Sequence, residues 1–207
     1  MERVGISHDV RLLETLFVQL NKMYFGGLLP SPVLTFSPDV TGKSLGHCSI
    51  KQVWHDSREG LSPDAYEINI CPEGYGKGEE GFYKVCEIML HEMVHLRNIV
   101  DNVKDTTRNG FYHNKAYKAG CDRIGLLCDF NKKYGWCETS LSDDMRERLK
   151  PLCKYALSWF RDGYNKKEVV RKKSHSIKYT CPKCECSVRS TKPVKILCYD
   201  CNQVMTV

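Results

Sequence analysis

The 207-residue chain lacks the long apolar run that a membrane-spanning helix requires. No stretch approaches about eighteen apolar residues, and the first ten residues lack the basic-then-apolar pattern of a secretory signal. The sequence also has no internal repeat and no low-complexity segment. These absences argue against a membrane protein and against export, so we expect a monomer in the cytoplasm or associated with the nucleoid.

Cysteine, in contrast, is abundant, with 12 residues. Because a reducing cytosol disfavours disulfides, metal ligation is the first explanation to test. Some of the cysteines lie scattered among apolar neighbours, and we interpret these as small buried side chains. They are Cys48, Cys71, Cys86, Cys121, Cys128, Cys137 and Cys153.

Hydrophobic periodicity predicts an α+β fold. A helical pattern from Val10 to Phe25 is followed, between Pro32 and Pro72, by short segments typical of a small sheet. A second helical pattern from Phe82 to about Val103 has an apolar stripe that indicates a core helix. Further helices are predicted from about His113 to Ile124 and from Asp143 to Asp162, where a proline should bend or restart the helix.

The basic residues are concentrated near the C-terminus. Residues 161–195 contain eleven Lys or Arg against three Asp or Glu, whereas the first 160 residues are close to neutral. We therefore predict a main domain over 1–165, a basic linker over 166–173 and a small module over 174–207. The cations of the linker are Lys166, Lys167, Arg171, Lys172 and Lys173.

The predicted core helix contains the motif HEMVH, residues 91–95. Histidines four residues apart share one face of a helix, so His91 and His95 can offer two nitrogens to one metal ion. Glu92 lies about 100° around the helix from His91, where its carboxylate can accept a proton from water beside the metal. The spacing thus separates two ligands from a candidate general base, Glu92.

A catalytic zinc ion usually has three protein ligands, so a third donor is needed. His113 is the best candidate, because the polar loop after the core helix can bring the chain back to the metal. Asp101 and Asp105 remain possible donors. Weaker candidates are His8, His47, His55 and His175.

A helix, a small sheet, HEMVH, the segment GFYHNKAYKAGCDRIGL and a paired-cysteine module together resemble the SprT-like zinc metallopeptidases. This family includes the Spartan proteases of eukaryotes, and the segment KYGWCETS is similar to one in bacterial and phage-type members. The resemblance implies a zincin-like metallopeptidase domain in which His91, His95 and His113 bind the catalytic zinc and Glu92 is the base. Asn114 departs from the pattern, because many relatives have glycine directly after the third histidine.

The resemblance also implies peptide hydrolysis. Zinc polarises the scissile carbonyl, and the attacking water gives its proton to Glu92. Tyr112 is a candidate for a further donor to the developing oxyanion.

The C-terminal module contains the pattern CxxCx13CxxC. Each CxxC forms a turn that presents two thiolates, so Cys181, Cys184, Cys198 and Cys201 are predicted to hold a structural zinc in a small zinc ribbon. Cys186 is an alternative to Cys184. About thirty residues are too few for a stable apolar core, so the metal is expected to supply most of the folding free energy of this module.

Three functions remain open from the sequence. The first is a zinc-dependent endopeptidase with one catalytic and one structural zinc, whose basic linker and ribbon bring it to DNA, so that its substrates are DNA-associated or DNA-crosslinked proteins. The second is a non-catalytic nucleic-acid-binding zinc-ribbon protein with a silent HExxH domain. The least favoured is metal-assisted hydrolysis of another amide, such as one in a cell-wall peptide, because the basic tail argues weakly against it. The linker is also consistent with a merely solvated charged segment.

Overall fold

Contacts divide the chain into two units, Met1–Gly163 and Tyr164–Val207, each with its own apolar cluster. The predicted linker, 166–173, and His175 lie outside the residues that the structure describes, and the predicted domain boundaries stay predictions. The computed structural model describes residues 5–38, 44–58, 63–161 and 176–207.

The first unit is α+β, as the periodicity predicts. Its described residues form four α-helices: α1 (Ile6–Phe25), α2 (Gly78–Val100), α3 (Lys115–Ile124) and α4 (Asp143–Leu149). Helix α2 carries the HEMVH motif and is central, because it packs on α1, on α3 and on both sheets of this unit. Most of its apolar side chains are buried, and Met89, Leu90 and Leu96 are fully buried.

A three-stranded sheet follows α1. It consists of β1 (Val33–Phe36), β2 (Gly46–Cys48) and β3 (Glu67–Ile70) in the order β1-β3-β2, with β1 parallel and β2 antiparallel to β3. Ile68 and Ile70 of the middle strand are fully buried. Strand β2 therefore lies at an edge of the sheet and packs against α2.

A second sheet, which the sequence did not predict, is formed by two strands before α3 and two strands after it. It consists of β4 (Thr106–Thr107), β5 (Tyr112–His113), β6 (Leu127–Asn131) and β7 (Gly135–Ser140), in the order β4-β5-β7-β6. The KYGWCETS segment forms the turn into β7 and β7 itself. This sheet holds His113, because β5 pairs in parallel with β7 at His113 and Gly135.

The predicted helix from Asp143 to Asp162 is wrong in its second half. Helix α4 ends at Leu149 and a 3-10 helix continues over Lys150–Tyr155, because Pro151 lacks the N–H that a continuing α-helix needs. The chain then runs extended and is bound to α1: the buried carboxylate of Asp9 accepts the backbone N–H groups of Ser158 at 3.1 Å and Trp159 at 2.7 Å.

The second unit is built from short hairpins. Strand β8 (Ile177–Thr180) pairs with β9 (Ser187–Ser190), and β10 (Leu197–Cys198) pairs with β11 (Gln203–Val204), both antiparallel. A bridge between Thr180 and Thr206 joins the two hairpins. The buried cluster of this unit consists of Tyr179, Cys181, Cys198 and Met205.

None of the helices in the described parts of the chain has the length and apolar character that crossing a bilayer requires. The cysteines interpreted as core side chains are buried or half-buried, as predicted. All seven belong to the first unit.

Candidate metal centres

Three imidazole rings converge in the first unit. His91 and His95 stand one turn apart on α2, and β5 presents His113 to both of them. The Nε2 atom of His113 lies 3.2 Å from Nε2 of His91 and 3.1 Å from Nε2 of His95. The structure thus brings together the three residues that the sequence predicts as ligands, including the one that comes from a different element.

The spacing of these nitrogens fits a single ion. Donors about 2.0 to 2.1 Å from one tetrahedral metal lie about 3.3 Å apart, close to the separations found here. Three neutral imidazoles facing each other at such distances cannot all be joined by hydrogen bonds, because each shared contact needs one proton and one lone pair. The donor set therefore fits a metal ion, although imidazole suits copper, iron and nickel as well as zinc.

Burial favours the neutral form that a metal ligand needs at two of these rings, His91 and His113. Desolvation lowers the pKa of His91 well below 6.5, and the neighbouring His95 and His113 lower it further. Burial, with the charge of His95, also lowers the pKa of His113 to about 4. Neutral imidazoles have a lone pair free at neutral pH, so neither ring needs to lose a proton before binding a metal.

An outer layer of polar groups orients His95. The Nδ1–H of His95 donates to Oδ2 of Asp105 at 2.7 Å, and the side-chain amide of Asn98 donates to the same oxygen at 3.1 Å. Burial is the largest single influence and raises the pKa of Asp105, but the hydrogen bonds from His95, Asn98 and the backbone, together with the charge of His95, outweigh it, so the net shift is downward. A carboxylate behind a histidine fixes the tautomer in which Nε2 faces the metal.

Tyr117 provides a ring against which all three histidines pack. Its ring centroid lies 4.9 Å from that of His91, 4.5 Å from that of His95 and 4.6 Å from that of His113. The side chain is fully buried, and its hydroxyl donates to the backbone carbonyl of His91 at 3.3 Å. Tyr117 therefore limits the rotation of the rings before any ion binds.

Glu92, the predicted base, is 5% exposed. Burial raises its pKa to about 7, while the charge of His95 and the backbone N–H of Cys48 act in the opposite direction. The carboxylate reaches β2: a Cβ added to Gly46 would lie 3.0 Å from Glu92 Oε1. Glu92 thus lies between the histidine helix and the edge strand of the first sheet.

The other candidate third ligands lie elsewhere. His47 pairs with Glu67 at 3.1 Å, His55 pairs with Asp64 at 2.8 Å, and Asp101 pairs with Arg97 at 2.7 Å. His8 is exposed at the start of α1. Asp105 is bonded to His95 and is not one of the three residues that converge as candidate ligands.

Tyr112, the candidate oxyanion donor, precedes His113 in β5. Neighbouring residues of a strand point to opposite faces. The Tyr112 ring lies under the Arg108 guanidinium at 4.8 Å and lines a cavity with Phe130 and Trp136. These contacts place it on a different side of the strand from the histidines.

The four predicted cysteines of the second unit also converge. The Sγ atoms of Cys181, Cys184, Cys198 and Cys201 all lie within 4.8 Å of one another. The Cys184 and Cys198 sulfurs are 3.7 Å apart, close to the about 3.8 Å expected for thiolates about 2.3 Å from one tetrahedral ion. The cluster therefore fits a structural metal with no coordination position left for water.

Both CxxC turns have the same backbone geometry. The residue directly after each pair, Glu185 and Asn202, has a positive φ, of 58° and 48° respectively. Hydrogen bonds from the N–H of Cys186, followed by those from its thiol, lower the pKa of Cys184 to about 6. Cys186 also lies 3.7 Å from Cys198, so its sulfur is a neighbour of the cluster without belonging to the four-cysteine group.

Comparison with models of protein families, with curated proteins and with solved structures finds no match for this chain. The resemblance to SprT-like peptidases therefore stays a prediction. Sequence reasoning missed Asn98, the orienting role of Asp105 and the hydroxyl of Thr139, which lies 3.4 Å from Nδ1 of His91. Asp105 lies ten residues after His95, and no local sequence pattern shows whether such an aspartate binds the metal itself or orients a histidine that does. Only the fold distinguishes the two roles.

Proposed function

We propose that the chain is a zinc-dependent endopeptidase of the SprT-like family, with a zincin-like domain followed by a zinc ribbon. The observation that carries this proposal is the approach of the His113 Nε2 atom to within 3.2 Å of Nε2 of His91 and 3.1 Å of Nε2 of His95. The helix that holds these two histidines also holds the buried Glu92. Three imidazole donors, which leave one position of a tetrahedral metal ion free, and a carboxylate base are the parts that hydrolysis requires.

The residues of the candidate site have distinct roles in this reaction. Bound zinc would supply an electrophile for the peptide carbonyl and lower the pKa of water. Glu92 accepts the proton of the attacking water and then donates it to the leaving amine nitrogen. Its raised pKa suits both transfers, and positive charge bound at the histidines would lower that pKa towards the range of a stronger acid. Asp105 and Tyr117 hold the rings in place.

Strand β2 supports a peptide substrate. Among the described residues, Gly46–Cys48 pairs only with β3 along one side, and this strand lies against the helix that carries Glu92. An extended peptide can add to such an edge through its backbone groups. A chain bound in this way would run past the histidine group independently of its side chains, as an endopeptidase of broad specificity requires.

DNA-associated or DNA-crosslinked proteins are the substrate class we propose. Support comes from charge and from the second unit: residues 176–207 contain five Lys or Arg against two acidic residues, in addition to the basic linker. A four-cysteine cluster without histidine or adjacent base offers no catalytic chemistry, which favours binding as the work of this unit. Lys and Arg of this kind bind phosphates without reading sequence.

The first experiment combines a metal count with a cleavage assay on the purified full chain. We expect two zinc ions per chain and cleavage of casein or histone that a chelator abolishes and single-stranded DNA increases. Zinc without any cleavage, under all these conditions, would favour the non-catalytic nucleic-acid-binding protein instead.

The decisive variant is Glu92→Gln, which keeps size and hydrogen bonding but removes the base. We expect cleavage to fall by about 10²- to 10⁴-fold with zinc content and melting temperature retained. The matched control is Glu14→Gln, which makes the same chemical change at an exposed position of α1 and should leave cleavage unaltered. Unchanged cleavage by a metal-loaded Glu92→Gln protein would refute the proposal.

A further inference from the structure

The cavity that Tyr112 lines beside β5 is an open groove on the surface of the first unit. Its volume is about 540 Å³, within the about 300 to 1,000 Å³ of sites that hold a ligand. Strands β5, β6 and β7 and the start of α3 form its walls, and none of its lining residues is a candidate metal ligand. We call it the aromatic groove, and its lining residues are Tyr112, Asn114, Lys115, Phe130 and Trp136.

Aromatic rings make up three of the five lining side chains, and they are accessible. Phe130 is 50% exposed, and its ring meets that of Trp136 edge to face with the centroids 5.2 Å apart. Trp136 and Tyr112 are half-buried, and two further exposed rings, Phe111 and Tyr134, are their near neighbours in the chain. Exposed apolar side chains usually occur singly, so rings gathered in this way indicate a binding surface.

The charge around these rings is strongly positive. Residues 104–118 and 130–136 together contain six Lys or Arg and one acidic residue, Asp105, which is buried beside His95. The first 160 residues as a whole are close to neutral, so this is a local excess. Asp129 and Glu138 are cross-strand partners on the far side of the bulge that precedes Phe130, and neither lines the groove. The six cations are Lys104, Arg108, Lys115, Lys118, Lys132 and Lys133.

Cations lie over three of the rings but not over Phe130. In the parts of the chain that the structure describes, no cation covers the Phe130 ring, which is therefore the ring most available to a flat ligand. Arg108, Lys115 and Lys133 form no ion pair with a described carboxylate, whereas Lys118 pairs with Asp122. The cationic groups lie 4.8 Å from the ring centroid for Arg108 over Tyr112, 5.5 Å for Lys118 over Trp136 and 4.8 Å for Lys133 over Tyr134.

We propose that the aromatic groove binds single-stranded nucleic acid, with a base stacked on Phe130 and phosphates held by Arg108, Lys115 and Lys133. Proteins that bind single strands combine rings on which bases stack with cations that follow the backbone. A double helix does not meet this arrangement, because its bases are already stacked on one another. The surrounding positive charge disfavours the cationic ligands that other aromatic sites bind. An acidic peptide would use the cations but would leave the flat face of Phe130 unused.

This site goes beyond the proposed function, which assigns nucleic-acid binding to the linker and the second unit. It does not depend on peptide hydrolysis, because the groove and the candidate metal ligands share no residue. The groove is nevertheless adjacent to the histidine group: Tyr112 precedes His113 in β5, and the His113 N–H donates to the carbonyl of Tyr134 at 2.9 Å. If the chain is the peptidase proposed above, a protein attached to the bound strand would be held close to the candidate zinc site.

The test is the binding of fluorescently labelled oligonucleotides to the full chain in the presence of zinc, measured by anisotropy. The probes are oligo(dT), oligo(U) and a DNA duplex of equal length. The deciding variant is Phe130→Leu, which keeps an apolar side chain and removes the flat ring. We expect it to bind single strands at least about fivefold more weakly than the parent chain and to bind the duplex equally well. The tighter of the two single strands shows whether the groove prefers DNA or RNA.

Matched variants separate stacking from damage to the fold. Phe130→Tyr keeps the ring and should bind like the parent chain, as should Leu28→Ala, which removes a 68% exposed apolar side chain outside the groove. Lys133→Gln should reduce the slope of log affinity against log salt concentration by about 0.7, the value expected for one phosphate contact of a single strand. Lys22→Gln, the same change at an exposed position of α1, should leave that slope unaltered.

Photo-crosslinking locates the bound strand. With iododeoxyuridine in place of thymidine in oligo(dT), mass spectrometry should identify crosslinked peptides that contain residues 111–118 or 130–136. Crosslinks confined to other parts of the chain, equal affinity of Phe130→Leu and the parent chain for single strands, or an equal loss for single strand and duplex would overturn the proposal. Casein cleavage and its loss in Glu92→Gln are measured separately, so a failure of this site and a failure of the proposed peptidase activity are distinguishable.

Discussion

The two candidate metal centres have similar donor geometry but very different surroundings. The histidine group lies on a core helix within an apolar cluster drawn from four helices and both sheets of its unit. The cysteine group lies in a unit whose buried cluster has four residues, two of them cysteines of the group itself. A large core can hold converging ligands in position by itself, as around the histidines. Where the core is small, as around the cysteines, the bound metal has to hold the fold together.

Metal removal should produce the largest difference between the two units. A cluster of four buried residues cannot offset the entropy of ordering about thirty residues, so the second unit should unfold in a strong chelator. The first unit should keep its helices and slow amide exchange, because its core does not depend on the ion. Hydrogen exchange resolved by segment, with and without chelator, measures both. Protection surviving in 177–206 after zinc removal would contradict the comparison.

Asp105→Asn should weaken metal binding at the histidine group while leaving the fold intact. An amide accepts the His95 N–H less strongly and no longer balances charge, so we expect an about 10- to 100-fold loss of affinity at this site. Competition with a chromophoric chelator measures it. Asp129→Asn, an exposed change in β6, is the control, and equal affinity of the two variants would show that Asp105 does not orient the ligand.

Gly46→Ala should damage the first unit alone. The new Cβ would lie 2.9 Å from the Asn69 carbonyl oxygen and from Ile88 Cγ2, and 3.0 Å from Glu92 Oε1. We expect a loss of about 1 to 3 kcal/mol in unfolding free energy, together with reduced cleavage because Glu92 is displaced. Gly76→Ala, where no atom lies within 4 Å, is the control in chemical denaturation. Equal unfolding free energies for the two variants would mean that β2 shifts to make room for the added methyl group without loss of stability.

The smallest expected effect is a pH dependence of the first unit without metal. Because burial lowers the pKa values of His91 and His113 below the unfolded value of about 6.5, the unfolded state binds more protons there and stability falls as pH drops from about 6.5 to 4. Glu92, with its pKa raised to about 7, acts oppositely, since its protonated form favours the folded state between about 4.5 and 7.

Glu92→Gln removes the opposing contribution. In the presence of chelator, the melting temperature of this variant should therefore fall further between pH 7 and pH 5 than that of the parent chain. Differential scanning calorimetry at the two pH values measures the difference. A larger fall in the melting temperature of the parent chain would contradict the directions assigned to these pKa shifts.

The sequence predicted the parts of the fold that have local periodicity. The first three helices, the first three strands, the pair His91 and His95, and the four-cysteine group follow from spacing, because HExxH and paired CxxC patterns are set by the geometry of one helix and of two turns. The sheet that positions His113 was missed, since strands of two residues such as β4 and β5 carry no periodicity and exist only through pairing.

The end of the first unit shows a different limit. Apolar residues at helical spacing continue to Phe160, and several of them do pack on the core, but from an extended chain and not from a helix. The competing interaction is the bond of Asp9 to the backbone of Ser158 and Trp159, about 150 residues away in the chain. No window of the sequence contains both partners, so periodicity alone could not reveal it.

The pairing of His113 with Gly135 has an evolutionary consequence. Gly135 has a φ of 77°, and a Cβ there would lie 2.0 Å from the His113 carbonyl oxygen, so a side chain at this point would push the strand carrying the histidine out of place. The segment between His95 and His113 is restricted in a different way, because it carries Asp105, which accepts from His95, and β4, which pairs with β5. A search for distant relatives should therefore include a glycine that faces the last histidine as well as the motif that holds the first two.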